Sequence, residues 1–600
     1  MIRDSIPDLL VRLWSHISHR RQKQFGLLMG LSIISACAEV VSLGAILPFI
    51  GILTAPEQVF THPTVAGMAR SLGITSSDRL VLPLTVVFAA AALTAGAIRI
   101  LLLWASTRLA LASGADLSSE VYRHTLYQPY RVHLARNSSE VISSITVKVS
   151  SVVNVLSSSM TLISSILLLM AITLALIAIN PLVALVSFFG FGASYGLITW
   201  MSRRRLQTNS QRIARNLTQL VKALQEGLGG IRDVLLDGTQ QLYCDIYRQA
   251  DYPWRRAQGN NAFISSCPRY AMEALGMVMI AALAYGLNRK AGGVSTALPV
   301  LGALALGAQR LLPALQQGYS AWASIAGDHA SLNDIIELLD QPLPVEMLLP
   351  APLPLPFQES ICFSNVHFRY TQDGPWVLDG LNLLIPKGSR IGFVGSTGSG
   401  KSTMLDLLMG LLTPTEGELS VDGQLISGNR IRAWQRTIAH VPQSIYLADT
   451  TLSENIAFGV PRDAINLQRV QQAARQAQIA DFIESRPEGY NAFVGERGVR
   501  LSGGQRQRIG IARALYKQAS VLIFDEATSA LDNTTEQSVL DAIENLNRDL
   551  TILIIAHRLT TVRRCDTIVE LEHGQVVAHG TYEKLLESSP SFRKMAHATR

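Results

Sequence analysis

The chain has 600 residues and a mass of 65.3 kDa, more than one hydrophobic core usually serves, so at least two domains are expected. Apolar residues make up 48% and charged residues 16%, and together with a mean hydropathy of +0.24 these values exclude an ordinary soluble chain. The net charge of +7 fits either nucleic-acid binding or the cationic cytoplasmic loops of a membrane protein. Five scattered cysteines without a CxxC pair argue against a disulfide framework or a zinc site.

Residues 1–24 form a mixed amphipathic stretch without a signal-peptide cleavage pattern, and we expect them to lie on the membrane surface. Six apolar segments follow, each long enough to cross a hydrocarbon core of about 30 Å. They cover residues 25–52, 80–108, 152–179, 182–202, 268–288 and 294–325. Several are longer than a bilayer needs, which predicts helices that continue into water.

Positive charge is distributed unequally between the two sides of this predicted membrane domain. Residues 1–24, 108–150 and 203–269 contain 21 Lys and Arg, whereas the opposite side contains 4. Cytoplasmic loops carry such an excess, so both chain ends are predicted to be cytoplasmic. The same asymmetry explains the high pI and removes the nucleic-acid interpretation.

Three charged residues lie inside the predicted spans, namely Glu39, Arg99 and Arg310. A charge in lipid is costly, so each should face protein or water. Counting about 1.5 Å per residue from the ends of the apolar segments places both arginines at a similar depth near the inner leaflet. The same count places Glu39 too far from either arginine to be its counter-ion. The arginines are either structural or part of a substrate cavity.

The last helix is predicted to end near residue 340, and residues 341–358 form a proline-rich linker. Alternating strands and helices in residues 359–600 predict an α/β domain with a partly parallel sheet. The predicted fold is therefore multi-domain: an all-α six-helix transmembrane domain over residues 1–340, followed by an α/β P-loop nucleotide-binding domain.

The strongest motif stands between an apolar strand and a helix. It fits G-x-x-x-x-G-K-[ST] and consists of Gly395, Ser396, Thr397, Gly398, Ser399, Gly400, Lys401 and Ser402, followed by Thr403. Its backbone N–H groups can surround phosphate oxygens at the helix N-terminus. Lys401 is predicted to reach the β- and γ-phosphates and Ser402 to bind Mg²⁺.

A second motif is a buried strand, residues 521–525, that ends in Asp525 and is followed by Glu526. An aspartate in this position binds the metal ion, and the next carboxylate can orient or deprotonate the attacking water. The two motifs together predict ATP hydrolysis with ATP and Mg²⁺ as ligands.

Between these motifs stands the signature string Leu501, Ser502, Gly503, Gly504 and Gln505, and with it the whole chain resembles ATP-binding cassette (ABC) transporters. The resemblance implies that Tyr370 stacks on adenine, that Gln443 is the Q-loop residue near Mg²⁺, and that His557 is the switch histidine near the γ-phosphate. It also implies a D-loop that contains Asp532 and an exporter-type X-loop at residues 495–498.

The resemblance further implies that the signature closes over ATP bound to a second cassette, so the simplest complete transporter is a homodimer with two hydrolytic sites. A membrane domain fused ahead of its cassette resembles type IV exporters. The coupling loops, at about 108–150 and 203–269, and the segment 57–73, a candidate external helix, resemble those of PglK-type lipid-linked oligosaccharide flippases in the bacterial inner membrane.

We therefore expect an ATP-driven flippase whose cargo is a pyrophosphate-linked oligosaccharide or a similar amphipathic lipid. In a homodimer Arg99 and Arg310 would place four guanidinium groups around one cavity, where they would suit phosphate oxygens. The alternatives are export of lipid A-like glycolipids, peptides or hydrophobic drugs. An ATP-gated channel or a regulatory ABC subunit is a more remote alternative.

Overall fold

The computed structural model describes residues 5–54, 81–179, 181–288, 293–525, 549–556 and 559–598. The chain divides into two compact units. One consists of Met1–Gln128 and Leu134–Leu343, and the other consists of Pro129–His133 and Pro344–Arg600. The segment 57–73, a candidate external helix, lies outside the described residues.

Up to residue 339 the described residues form helices joined by short connections. Its helices are α1 (Ile6–His16), α2 (His19–Thr54), α3 (Val81–Leu126), α4 (Tyr130–Ala135), α5 (Ser138–Ser143), α6 (Val149–Ile179), α7 (Pro181–Gly229), α8 (Ile231–Leu236), α9 (Gln240–Asn288) and α10 (Gly293–Leu339), with a π-helical turn at Ser144–Lys148. The described residues of each predicted span lie within one of the long helices α2, α3, α6, α7, α9 and α10, and most of these helices extend well beyond the span.

Three stretches of the described residues are long and apolar enough to cross a membrane: His19–Ser42, Val81–Leu126 and Ser138–Ile177. They contain most of the first three predicted spans. The other three predicted spans lie in α7, α9 and α10, and each of them includes residues whose side chains lie outside the description.

Helix α1 starts at a capping box in which Ser5 and Asp8 satisfy each other's backbone N–H groups. Leu9 and Leu13, four residues apart, are buried in a cluster that includes Leu332 of α10. The amphipathic stretch was expected to lie on the membrane surface. Its leucine face packs on protein, whereas Val11 remains exposed, and its position on the membrane surface stays a prediction.

Helices α2 and α3 run antiparallel in a register that three side-chain pairs define. Arg21 contacts Asp116 at 2.8 Å, the rings of Phe49 and Phe88 stack with centroids 4.8 Å apart, and Arg99 forms an ion pair with Glu39. In each pair the two residue numbers add to 137 or 138, as an antiparallel register requires.

The ion pair corrects one sequence-based expectation, because Glu39 is the counter-ion of Arg99. Arg99 Nη2 lies 2.9 Å from Glu39 Oε2, and the Glu39 side chain is 4% exposed. The depth count was wrong because it measured each residue from the end of its own apolar segment. The two segments contain 28 and 29 residues, about 42–44 Å of helix, which is longer than a hydrocarbon core of about 30 Å. Opposite ends of the segments therefore do not mark the two faces of the core.

The second unit is an α/β domain with two sheets. Its strands are β1 (Ser360–Phe368), β2 (Leu378–Pro386), β3 (Arg390–Val394), β4 (Glu416–Val421), β5 (Gln424–Leu425), β6 (Ile438–Val441), β7 (Val521–Asp525), β8 (Thr551–Ile555), β9 (Thr567–Glu572) and β10 (Gln575–Gly580). The antiparallel sheet has the order β2-β1-β4-β5, and the larger sheet has the order β10-β9-β3-β8-β7-β6.

The helices of this unit are α11 (Val345–Leu348), α12 (Lys401–Leu408), α13 (Asn429–Thr437), α14 (Leu452–Ile456), α15 (Leu467–Gln476), α16 (Ala480–Glu484), α17 (Gly503–Tyr516), α18 (Leu559–Val562), α19 (Tyr582–Ser588) and α20 (Pro590–Ala598). Short 3-10 turns occur at Arg462–Ala464, Gly489–Asn491 and Glu496–Gly498. Strands β3, β7 and β8 are almost wholly buried, as their unbroken apolar sequences predict for parallel strands covered on both faces.

The proline-rich linker contains the short helix α11 and is bound to the second unit. Arg432 donates to the carbonyl oxygen of Leu349 at 2.8 Å, and Thr437 donates to that of Leu355 at 3.0 Å. The Phe357 ring is buried edge-on against Trp434. Residues 344–358 therefore lie along α13 and do not act as a free spacer.

Candidate functional site

The glycine-rich loop 395–400 joins β3 to α12 and requires glycine at particular positions. A Cβ at Gly395 would approach the carbonyl oxygen of Leu571 to 2.1 Å. Gly398 has a φ of +83° and faces open space, and Gly400, with a φ of +99°, precedes the first turn of α12. These backbone conformations leave N–H groups available to an anion at the helix N-terminus.

Lys401 is the first residue of α12, and its side chain returns into the loop. Its Nζ donates to the carbonyl oxygens of Gly395 at 2.8 Å and Ser396 at 2.9 Å, and to Ser399 Oγ at 3.2 Å. The residue is 7% exposed. A buried ammonium needs such acceptors, and this one lies where phosphate oxygens enclosed by the loop would bind it.

The order of the parallel strands brings the other predicted residues to the same edge of the sheet. Strands β3, β8, β7 and β6 are parallel neighbours. Their carboxyl ends therefore lie together, which places Asp525 and the loop that carries Gln443 on the side of the glycine-rich loop. Glu526 and His557 directly follow this edge in the sequence, but they and Asp532 lie outside the described residues.

Asp406 of α12 adds a carboxylate that sequence analysis missed. Burial and then the negative charge of Asp525 raise the pKa of Asp406 to about 6. The carboxylates of Asp406 and Asp525 therefore repel one another at the sheet edge beside the glycine-rich loop. A signal was available in the sequence, because Asp406 interrupts the apolar residues Met404 to Met409 five positions after Lys401.

The residues present fit a magnesium ion. Among the described residues no group of three or more His, Cys, Asp or Glu side chains could hold a metal. A magnesium site does not need such a group, because one or two carboxylates, water and substrate phosphates usually hold the ion. Ser402, Gln443 and Asp525 offer a hydroxyl oxygen, an amide oxygen and a carboxylate, and Asp406 adds a second carboxylate near Asp525.

The predicted adenine-stacking residue Tyr370 lies beside the glycine-rich loop. Its hydroxyl contacts Thr403 Oγ1 at 3.1 Å, and its partly exposed ring meets Phe368 edge-on. The segment Pro129–His133, which belongs to this unit, reaches the same place. Arg131 donates to the Tyr370 carbonyl oxygen, and burial, followed by the charge of Asp406, raises the pKa of Tyr130.

The signature string forms the start of α17. Ser502 and Gln505 form a capping box, with the Gln505 N–H donating to Ser502 Oγ at 3.2 Å and the Ser502 N–H donating to Gln505 Oε1 at 2.9 Å. Leu501 is buried in the hydrophobic core of this unit, and its burial holds the start of α17 in place. Gly503 and Gly504 follow in the first turn with no side chain to obstruct an approaching phosphate.

The structure describes the side chain of only one of the two arginines predicted for a substrate cavity. Arg99 is held by Glu39 and remains 51% exposed. Arg310 lies in α10, but its side chain is outside the description. Its role as a cargo ligand therefore stays a prediction.

Comparison with known proteins agrees with this geometry. The profile described as the ABC transporter transmembrane region matches residues 27–297, and the profile described as ABC transporter matches residues 378–529. A solved structure of a bacterial Atm1-family ABC exporter with ATP bound aligns at 26% identity with a TM-score of 0.77, covering 94% of this chain and 97% of that one.

Two curated relatives bear the name ATP-dependent lipid A-core flippase. The protein from Chromohalobacter salexigens is 31% identical over 476 residues, which is 79% of this chain and 82% of that protein. The protein from Alkalilimnicola ehrlichii is 33% identical over 417 residues, which is 68% of this chain and 69% of that protein.

Proposed function

This chain belongs to the ABC transporter family, with a membrane domain and an ATP-binding cassette in one polypeptide, and from that premise we propose that two copies form an ATP-driven flippase for a phosphate-bearing glycolipid. The observation that carries the proposal is the glycine-rich loop around Lys401, beside the carboxylate edge at Asp525. This arrangement is suited to binding a nucleoside triphosphate and hydrolysing its terminal phosphate.

The roles of the residues follow from their positions. Lys401 and the N–H groups of loop 395–400 bind phosphate oxygens, and Tyr370 stacks on the adenine ring. Ser402, Asp525 and Gln443 would hold Mg²⁺, which neutralises charge that develops on the phosphates. Glu526 then orients and deprotonates the attacking water.

The signature serine and glycines are proposed to complete the site of a second subunit. They form a helix N-terminus, where backbone N–H groups favour negative charge. Because one chain supplies one loop and one signature, a homodimer has two complete sites. In this arrangement Asp532 and His557 act next to the γ-phosphate of each site.

The membrane assignment rests on charge and hydropathy. The 21-to-4 distribution of Lys and Arg supports a bacterial inner-membrane protein with both termini in the cytoplasm.

The contacts of Arg131 and Tyr130 beside Tyr370 support a role for the first cytoplasmic loop in sensing the nucleotide.

Two cargo classes are supported. The loop sequences favour a lipid-linked pyrophosphate oligosaccharide, and the names of the relatives favour a lipid A-like glycolipid. Both are amphipathic lipids with anionic and sugar groups. Peptides and hydrophobic drugs are carried by the same fold but lack one or both of these groups.

The proposal is tested by reconstituting the full chain in proteoliposomes with either glycolipid. We expect MgATP to move the sugar groups across the bilayer, measured by their accessibility to an external glycosidase or lectin. Glu526→Gln should retain MgATP binding and lose turnover by orders of magnitude, and it should not flip either lipid. ATP-dependent ion conductance without lipid movement would favour the channel alternative.

A further inference from the structure

A polar cavity of about 580 Å³ lies among α6, α7, α9 and α10 of the first unit. Seven serines, three amide side chains and the carboxylate of Asp328 line it, together with the Trp254 indole and a few small or aliphatic residues. Within the described part of the chain, its lining contains no Lys, Arg or His. The volume is in the range of small-molecule binding sites, but the lining is far more polar than is usual.

The polar groups of the cavity both donate and accept hydrogen bonds. Asp328 accepts one from Ser151, and burial raises the pKa of Asp328 to about 6. The Trp254 Nε1–H is buried without a partner in the part of the chain that the structure describes. Because a buried donor is costly to leave unpaired, this indole needs a hydrogen-bond acceptor inside the cavity.

The cavity lies on the cytoplasmic side of the predicted membrane spans. Its lining on α6 ends at Ser158, six residues past the start of the span 152–179. Its lining on α10 includes Asp328, three residues beyond the end of the span 294–325. On α7 and α9 every lining residue lies outside the predicted spans, 11–15 residues after 182–202 and 3–14 residues before 268–288. The cavity therefore lies toward the cytoplasm, where the glycan of a lipid in the inner leaflet projects.

We propose that this cavity binds the sugar portion of the cargo glycolipid before it crosses the membrane. This inference rests on the proposed flippase function. Sugar hydroxyls donate and accept, so they match a lining of hydroxyls, amides, an indole N–H and one carboxylate.

Other parts of a cargo fit the cavity less well. A phosphate would meet the Asp328 carboxylate without any cation in the lining. An acyl chain would bury polar groups without partners. An organic cation could pair with Asp328, but the Trp254 ring already has the Arg255 guanidinium 5.3 Å from its centroid.

The test compares glycolipids with matched lipids that lack the glycan. The full chain in nanodiscs is titrated with a polyprenyl-pyrophosphate oligosaccharide and with polyprenyl pyrophosphate, and with lipid A that carries or lacks its core sugars. ATPase stimulation is scored relative to each variant's own basal rate. In Asp328→Asn the half-saturating concentration of the glycan-bearing lipid should rise about tenfold, which is about 1.4 kcal/mol, and that of the glycan-free lipid should not change.

Trp254→Phe keeps an aromatic ring but removes the N–H donor, and it should weaken the same lipid selectively. This second variant also keeps the test available if Asp328→Asn does not form a homodimer. Glu337→Gln is the matched control, because Glu337 is an exposed acid on the same helix and bonds to Asn333 outside the cavity. The half-saturating lipid concentrations of Glu337→Gln should equal those of the parent.

Each alternative result overturns the inference. If both variants titrate as the parent does, or if glycan-bearing and glycan-free lipids shift equally, the cavity does not bind sugar. If Asp328→Asn abolishes stimulation by tetraphenylphosphonium and spares the glycolipid, the cavity binds cations. If neither glycolipid stimulates the parent, the proposed function fails and this inference fails with it.

Discussion

Breaking the ion pair between Arg99 and Glu39 should destabilise the membrane unit, and removing both charges should restore it. The Glu39 carboxylate is 4% exposed and lies 2.9 Å from Arg99 Nη2. Arg99→Ala therefore removes this ion pair from a buried carboxylate. In well-buried pairs this costs about 3–5 kcal/mol.

The expected magnitude is smaller here because Arg99 is 51% exposed. Solvent screening reduces the loss to roughly 1–3 kcal/mol. For large domains this corresponds to a fall of about 2–6 °C in the apparent melting temperature. The double variant Glu39→Gln/Arg99→Met has no charge to bury and should remain within about 1 kcal/mol of the parent.

Melting of the detergent-solubilised protein is followed by tryptophan fluorescence for both single variants and the double variant. Arg248→Ala is the control, because it breaks the exposed pair with Asp245 and should change stability by less than about 1 kcal/mol. If Arg99→Ala melts with the parent, or if the double variant melts no higher than Arg99→Ala, the ion-pair argument is refuted.

The same variants separate the two interpretations of Arg99. If the arginine is structural, the double variant should flip a pyrophosphate-linked glycan at nearly the parent rate. A double variant that is as stable as the parent but does not flip this lipid would show that Arg99 binds the cargo phosphate.

Three further predictions follow from topology and charge. In a cysteine-free background, an impermeant thiol reagent on intact cells should label two single-cysteine variants and spare two others, and labelling of the second pair would contradict the six-span topology. The variants to be labelled are Ser71→Cys and Gly292→Cys, and those to be spared are Ser138→Cys and Gly238→Cys. Burial alone would raise the pKa of Asp422, but the backbone N–H groups of residues 358–360, at 2.7–2.9 Å, lower this pKa overall. The ionised carboxylate therefore stabilises the folded state above the unfolded pKa of about 3.9, and this contribution is lost only in stronger acid. Asp422→Asn should therefore lower the melting temperature by a similar few degrees at pH 5.5 and pH 8. The exposed control is Asp463→Asn. A loss at only one of these pH values would contradict the lowered pKa of Asp422. The pKa of Asp406 is raised instead, so its ionised form costs stability above about pH 6. Asp406→Asn should raise the melting temperature in the absence of nucleotide by about 2–4 °C at pH 7.5, and by less at pH 5, whereas an equal gain at both would show that the carboxylate is not buried.

Local sequence was sufficient to recognise the glycine-rich loop and the strand that ends in Asp525. The glycine-rich loop is recognisable because its backbone conformations require glycine at Gly395 and Gly398, and these requirements act within a few residues. The strand that ends in Asp525 is recognisable because both of its faces are buried, which demands an unbroken apolar run. Asp406 was missed because only the parallel sheet brings β7 close to α12.

The positions of the long helices were also readable from sequence, because the bilayer sets a length of about 20 apolar residues. Depth within the membrane was not readable. Contacts between helices depend on register, and the end of an apolar segment does not fix the register when the segment is longer than the hydrocarbon core. The structure therefore decided that Glu39 lies beside Arg99.

The sequence by itself determined the class of the protein, because motifs for phosphate binding and lengths for membrane crossing are set by neighbouring residues along the chain. Only the tertiary structure decided which distant segments meet. It placed Arg131 at Tyr370 in the cassette unit and bound the proline-rich linker along α13. It also enclosed the polar cavity around Asp328 with residues from four helices. These contacts arise when long helices and strands pack side by side, and no local pattern specifies that packing.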